Sequence, residues 1–254
     1  MLRINEPSIG VHLAVFTGSM VGMVPERVEI DQLRLNDLRA DDANYFFSRR
    51  YRDAWAPPLR RLILRRLQAQ VGRRHSYAVL KEPHGSQGAD VLMSLLPRSR
   101  LIFLLRDGRD AIDSAFHAAQ PGSWGASQLP GFVIRDRDAF IKDRAHAWLC
   151  RTAATQRAYN AHDPRLRMLV RYEELVSEPA PTMRSLAGWL GLEDSGIQEA
   201  VERTSFDRLA PDRRGAGQFA RAARPGLWRE NFNDEEKGVL ETIMGSKLRE
   251  LGYT

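Results

Sequence analysis

A chain of 254 residues with 43% apolar and 28% charged residues suits one large folded domain or two small ones, and no stretch approaches the ~18 consecutive apolar residues of a membrane-spanning helix. The N-terminus lacks a charged segment followed by an apolar one, so no secretory signal is expected and a cytoplasmic site is the default. Cys150 is the single cysteine, which excludes an internal disulfide framework and a cysteine-rich zinc site; a net charge of +6, carried by 38 basic residues of which only four are lysines, favours anionic partners such as nucleic acid, a phosphorylated cofactor or an anionic glycan.

In chain order, the first helical pattern is "PPLRRLILRRLQAQVG" (57 to 72), with Leu59, Leu62, Ile63 and Leu67 at helical spacing. The run "YAVLKE" (77 to 82) reads as a buried strand, followed by "LKEPHGSQG" with Lys81, Glu82 and His84. A second strand, "LIFLLRD" (101 to 107), runs into a helix expected to begin near Asp110. "RDAFIKDRAHAWLCRTAATQRAYNA" (137 to 161) is long enough for about seven helical turns. His146 and Cys150 lie four apart on it, but two ligands without further company read as packing residues, and no metal is assigned. The third strand is "RMLVRYEEL" (167 to 175). "PAPTMRSLAGWLGL" (179 to 192) is a helix opened by prolines and closed by Gly191; Asn233 caps a last helix ending in Arg249 and Gly252. Between them, "DRRGAGQFARAARPG" (212 to 226) reads as loop. Strands alternating with helices predict an α/β fold, a three-layer sandwich with a mainly parallel central sheet.

Strand ends in such sheets gather anions, because unpaired N–H groups and the helix dipole create positive potential there. "RDGRDAIDS" sits at such a junction: Arg106 enters from the strand end, and Ser114 lies one turn into the expected helix, so both can reach one phosphate. The alternative for the same segment is a solvated turn with Arg–Asp pairs and a capping aspartate.

Taken together, an arginine followed eight positions later by a serine after an apolar strand, then "VRYEELVSEPAPTMRSLAGWLGL", "TSF" and "RPGLWRENF", in that order, resemble the sulfotransferases that use the adenylyl-sulfate donor PAPS. The resemblance runs from about residue 77 to the C-terminus and implies a P-loop-nucleotide-transferase-like single domain over 1–254. It implies that Arg106 and Ser114 hold the donor's 3′-phosphate, that Tyr172 contacts the adenine side, and that Thr204, Ser205 and Phe206 line the adenine pocket. The family's late phosphate loop maps its arginine to Arg221, whereas Ala222 and Ala223 stand where the family has lysine and glycine. Gly226, Trp228 and Arg229 match its second half, with Trp228 read as a core anchor. Sulfuryl transfer from PAPS to a hydroxyl or amine, with PAP leaving, needs a base; Lys81 matches the family's lysine-bearing segment, with Glu82 and His84 as rival bases.

The resemblance breaks at the N-terminus. No P-(K/R)-S-G-T-type phosphate loop is found; "VFTGSMVG" (15 to 22) lacks the basic residue, and Pro25 interrupts any helix after it. The expectation is therefore a chain whose first strand and phosphate loop are missing, through a start placed too far downstream (the favoured explanation), a truncated or naturally shortened copy, or a member that no longer catalyses, and whose activity in this form is in doubt. Loops 41 to 60 and 117 to 136, with Tyr45, Phe46, Phe47, Trp55 and Trp124, are the candidates for an acceptor pocket. The competing reading is a basic binding module for nucleic acid or anionic glycan, built on "RRLILRR" and "RDRRGAGQFARAARPG".

Overall fold

The computed structural model describes residues 48–71, 79–81, 86–129 and 132–254. These fall into two compact units: residues up to Leu101 with Cys150–Leu166, and Ile102–Leu149 with Arg167–Thr254. The expectations for residues 15 to 22 and for Tyr45, Phe46, Phe47, Glu82 and His84 lie outside the described residues.

In the first unit, α1 (Arg52–Val71) starts five residues before the expected position and carries Pro57 and Pro58 inside it. A short 3-10 turn, Arg49–Tyr51, runs into it, capped by the buried Ser48, whose Oγ accepts from Arg50 N and whose carbonyl accepts from Trp55 Nε1 at 2.9 Å. The prolines fall just behind the first turn, so each removes only one helical hydrogen bond. Helix α2 (Ala89–Leu95) follows. Two arginines of α1 cap its C-terminal carbonyls: Arg52 Nη2 donates to Ser94 O at 2.9 Å and Arg60 Nε to Leu95 O at 3.0 Å. The strand expected over 77 to 82 is not formed at Val79–Lys81, which have no regular structure and are exposed.

The second unit holds a sheet of two parallel strands, β1 (Leu101–Leu105) and β2 (Arg167–Arg171). Phe103 and Leu105 of β1 are buried, whereas Ile102 and Leu104 are exposed, so β1 alternates where continuous burial was expected. Helix α3 (Gly108–Ala118) follows β1 directly; α4 (Trp124–Gln128) lies in the stretch 117 to 136 expected to be loop, as the start of α1 lies in 41 to 60, and the long α5 (Arg137–Ala161) falls where the sequence predicts. The third predicted strand ends at Arg171 rather than 175. Glu173 and Glu174 occupy the first turn of α6 (Tyr172–Ser177), where carboxylates favour the helix dipole.

Helix α7 (Pro179–Leu190) ends at Gly191 in the left-handed region (φ 70°), with Leu192 N bonding back to Ala187 O. Helix α8 (Ile197–Thr204) precedes an irregular stretch, then α9 (Trp228–Asn231) and α10 (Asp234–Glu250). A reciprocal capping box of Asn233 and Glu236 opens α10. The core is made by Ile112 of α3, Ile141, Ala145 and Leu149 of α5, Trp228 and Phe232, and Leu240, Met244 and Leu248 of α10. Spacings of four on α5 and α10 make the seam, and its residues are almost wholly buried. Gly108 touches that seam so closely that a Cβ there would lie 2.2 Å from Met244 Cε and 2.7 Å from the Trp148 ring.

Candidate functional site

The junction of β1 and α3 is built by an aspartate. Asp107 Oδ1 accepts from Arg109 N at 2.9 Å and makes Asp107 the N-cap, so α3 begins at Gly108 and not near Asp110. Ser114 is therefore the seventh helical residue, about 9 Å along the axis from Gly108. Asp107 also grips the Arg109 guanidinium, with Nη2 to Oδ2 at 2.8 Å, while Arg109 lies over the Trp228 ring at 4.1 Å and donates to Thr254 O. The capping aspartate and Arg–Asp pair are thus both present, and they consume Arg109.

Arg106 is placed differently. Its guanidinium lies 4.4 Å from the centroid of the Tyr172 ring at the start of α6, a cation–π contact that fixes its direction. Its Nε is buried without a hydrogen-bond partner, and among the described residues no carboxylate forms an ion pair with it. The backbone beside it is firmly held: Asp107 N donates to Glu173 Oε1 at 2.8 Å, and Glu173 Oε2 accepts from Tyr253 OH at 3.1 Å. Burial and the neighbouring Glu173 carboxylate push the Tyr253 hydroxyl well above its usual range.

Ser114 is half-buried on α3. Next to it in sequence, Asp113 is fully buried and takes Arg221 Nη2 on Oδ2 and Asn231 Nδ2 on Oδ1 at 2.9 Å; His117 Nε2 stands 3.4 Å from Oδ1. One turn earlier Asp110, equally buried, accepts from Gly226 N at 2.6 Å and Trp228 N at 3.3 Å. Burial lifts the Asp110 carboxyl above its ordinary value, against the pull of these two N–H groups and of Arg106. Burial and the Arg221 charge hold His117 below its ordinary value, opposed by Asp113.

Of the expected site residues, the structure brings Arg106 onto Tyr172, and Arg221 onto the residue before Ser114. Thr204, Ser205 and Phe206 are not joined to these by any hydrogen bond or ring contact among the described residues. Thr204 Oγ1 donates to Ala200 O at 2.7 Å, Ser205 Oγ to Glu202 O at 3.0 Å, and Phe206 lies under Arg214 at 5.7 Å. Lys81 is exposed and outside regular structure. Trp55 spends its N–H on Ser48, and Trp124 packs edge-on to Phe219 at 4.9 Å. Trp228 is the core anchor expected of it.

Three features were not anticipated. Asp110, Asp113 and Asn231 form the tether between α3 and the return segment. The signal available was a pair of aspartates three apart on a helix face that also carries the buried Ile112. The segment 212 to 226 is not a bare loop: a 3-10 turn at Pro211–Arg213 and a bridge between Arg214 and Ala220 order it. Ala223 has φ +47°, making it the non-glycine residue in the left-handed region among the described residues. Of the arginines in "RRLILRR" on which the basic-module reading rests, Arg60 is engaged in capping α2, as is Arg52 upstream of them. Burial lowers His146 and raises Cys150 from their ordinary values, in keeping with packing roles, and among the described residues no cluster has the makings of a metal site. Nor, among them, is any helix long and apolar enough to cross a membrane.

Comparison with known proteins gives a match to the family model described as "Sulfotransferase family" over residues 20–196. No match was found among curated proteins. Solved structures similar to the chain include mouse sulfotransferase SULT7A1 complexed with PAP, at 16% identity and a TM-score of 0.46, over 59% of this chain and 58% of that one. Another is retinol dehydratase in complex with androsterone and inactive cofactor PAP, at 20% identity and a TM-score of 0.42, over 59% and 47%. The chain thus matches only about half the length of these proteins. The family match covers well over half of this chain, and the chain belongs to the sulfotransferase family.

Proposed function

We propose that this chain binds PAPS and serves transfer of its sulfuryl group to a hydroxyl or amine acceptor, with PAP as the product. Arg106 and the Ser114 hydroxyl take the 3′-phosphate that distinguishes PAP from ordinary adenosine nucleotides, and Arg221 adds a second guanidinium from the return segment. Tyr172 backs Arg106 and faces the adenine, with Thr204, Ser205 and Phe206 as further adenine contacts. In the transfer, the acceptor oxygen or nitrogen bonds to sulfur as the sulfur–oxygen bond to the leaving phosphate breaks. The acceptor's proton goes to His84 or Glu82, beside Lys81.

One observation carries this reading. Of the two arginines at the strand end, Arg109 is neutralised by Asp107, whereas Arg106 is aimed by an aromatic ring, forms no ion pair among the described residues though its charge reaches Asp110, and keeps a desolvated, unsatisfied Nε. Such a cation is costly unless an anion completes it. The family match supports the reaction class.

The test is calorimetric titration of the chain with PAP and with AMP. PAP is expected to bind more tightly, and Arg106→Ala to weaken PAP by roughly 10- to 150-fold, the loss of a charged hydrogen bond worth about 1.5–3 kcal/mol, with little effect on AMP. Equal affinity for both nucleotides in the unmodified chain, or an undiminished preference in Arg106→Ala, overturns the assignment. Salt-sensitive binding of heparin or DNA that survives Arg106→Ala would favour the basic-module reading instead.

A further inference from the structure

We propose that Asp113 is a positioning residue: its buried carboxylate sets the aim of Arg221 at the anion bound beside Ser114. The inference rests on the reading of Arg106 and Ser114 as a phosphate site, and goes beyond it by naming what holds the second arginine in place.

A carboxylate with no exposed surface is expensive, and an apolar residue of similar volume often packs as well or better, so a buried acid is poor evidence of a stability role. What this one does is geometric. From a single turn of α3, Asp110 and Asp113 reach across more than a hundred residues of sequence and grip the return segment at Arg221, Gly226, Trp228 and Asn231. The segment so held contains Ala223 at φ +47°. An L-residue stays in that region only where its surroundings over-determine it, which marks the segment as clamped rather than merely resting.

Arg221 is four-fifths enclosed, its side chain 19% exposed, and among the described residues its ion pair is with Asp113 through Nη2. A guanidinium has five N–H donors in a rigid fork, so anchoring it by one edge leaves the other edge directed and available. Asn231 and His117 occupy the other oxygen of Asp113, which keeps the carboxylate from rotating away from Arg221.

Charge and aim make opposite predictions, which makes the proposal testable. Asp113→Asn deletes a negative charge close to the proposed phosphate. If Asp113 acted only by neutralising Arg221, PAP would bind more tightly. If it positions Arg221, PAP binding weakens, by roughly tenfold, while AMP affinity holds. The deciding measurement is a double-mutant cycle of Asp113→Asn with Arg221→Gln, read as PAP and AMP dissociation constants. Each single change is expected to cost PAP affinity, and Asp113→Asn to cost nothing further once Arg221 is gone. A loss through general unfolding would lower both nucleotides alike and would persist in the Arg221→Gln background.

Tighter PAP binding in Asp113→Asn, or additive losses, overturns the proposal. Should Asp113→Asn fail to fold, Arg221→Gln alone decides, since an unchanged ratio of PAP to AMP affinity there leaves nothing for Asp113 to position. The two readings fail separately. Arg106→Ala with its PAP preference intact removes the phosphate site itself; loss of preference in Arg106→Ala but not in Asp113→Asn or Arg221→Gln removes only the role of Asp113.

Discussion

Replacing Ala223 with glycine is expected to stabilise the protein, against the usual direction for that change. At φ +47° the alanine Cβ crowds its own carbonyl, a cost of about 1–2 kcal/mol for an L-residue in the left-handed region. Glycine removes that cost but adds about 0.4–1 kcal/mol of unfolded-chain freedom. It also gives up a half-buried methyl worth roughly 0.4 kcal/mol, half of a fully buried one. The balance is a gain of about 0.5 kcal/mol, or roughly 1–2 °C in Tm for a chain of this size. Without strain the same substitution would lose about 1 kcal/mol, a fall of roughly 2–4 °C. Differential scanning calorimetry of the two proteins separates these by size and sign. A Tm lowered by about 2 °C or more for Ala223→Gly refutes the strain, and with it the view that α3 clamps the return segment into a conformation it would not adopt alone.

Two further outcomes follow from the same junction. Gly108→Ala is expected to destabilise by about 1–3 kcal/mol, because its Cβ would meet Met244 Cε at 2.2 Å and the Trp148 ring at 2.7 Å and force both to shift; an unchanged Tm contradicts the packing. The His117 imidazole, followed by NMR titration, should titrate higher in Arg221→Gln and lower in Asp113→Asn, since Arg221 depresses it and Asp113 raises it. Because burial and Arg221 hold its folded pKa below the unfolded value of 6.5, the unfolded chain takes up the proton first, so its contribution to stability is present above pH 6.5 and is lost on acidification through the folded pKa. A lower His117 pKa in Arg221→Gln, or a higher one in Asp113→Asn, would show that the three side chains do not meet.

Much of this was legible in the sequence. The 25-residue helix Arg137–Ala161 and the cap at Asn233 were read to the residue, because a long helical pattern and an Asn before a run of acids are strong local signals. The start of α3 was misplaced by two residues. Asp107 and Asp110 are both sound caps by type, and only the hydrogen bond from Arg109 N decides between them. The spacing of the resemblance alone selects Arg106 over Arg109, since the two differ in nothing local; the partners that separate them, Asp107, Trp228 and Tyr172, are set by the fold. The strand expected through Val79 rested on a short apolar run, the weakest kind of pattern, and is not formed there. The tether of Asp110 and Asp113 escaped notice because its partners lie more than a hundred residues away, beyond any spacing rule.

The central claim meets its most direct test in the structure of this chain bound to PAP. The 3′-phosphate is expected within hydrogen-bond distance, about 2.7–3.2 Å, of the Arg106 guanidinium and the Ser114 hydroxyl. A 3′-phosphate bound elsewhere, with Arg106 still facing only Tyr172, would contradict it.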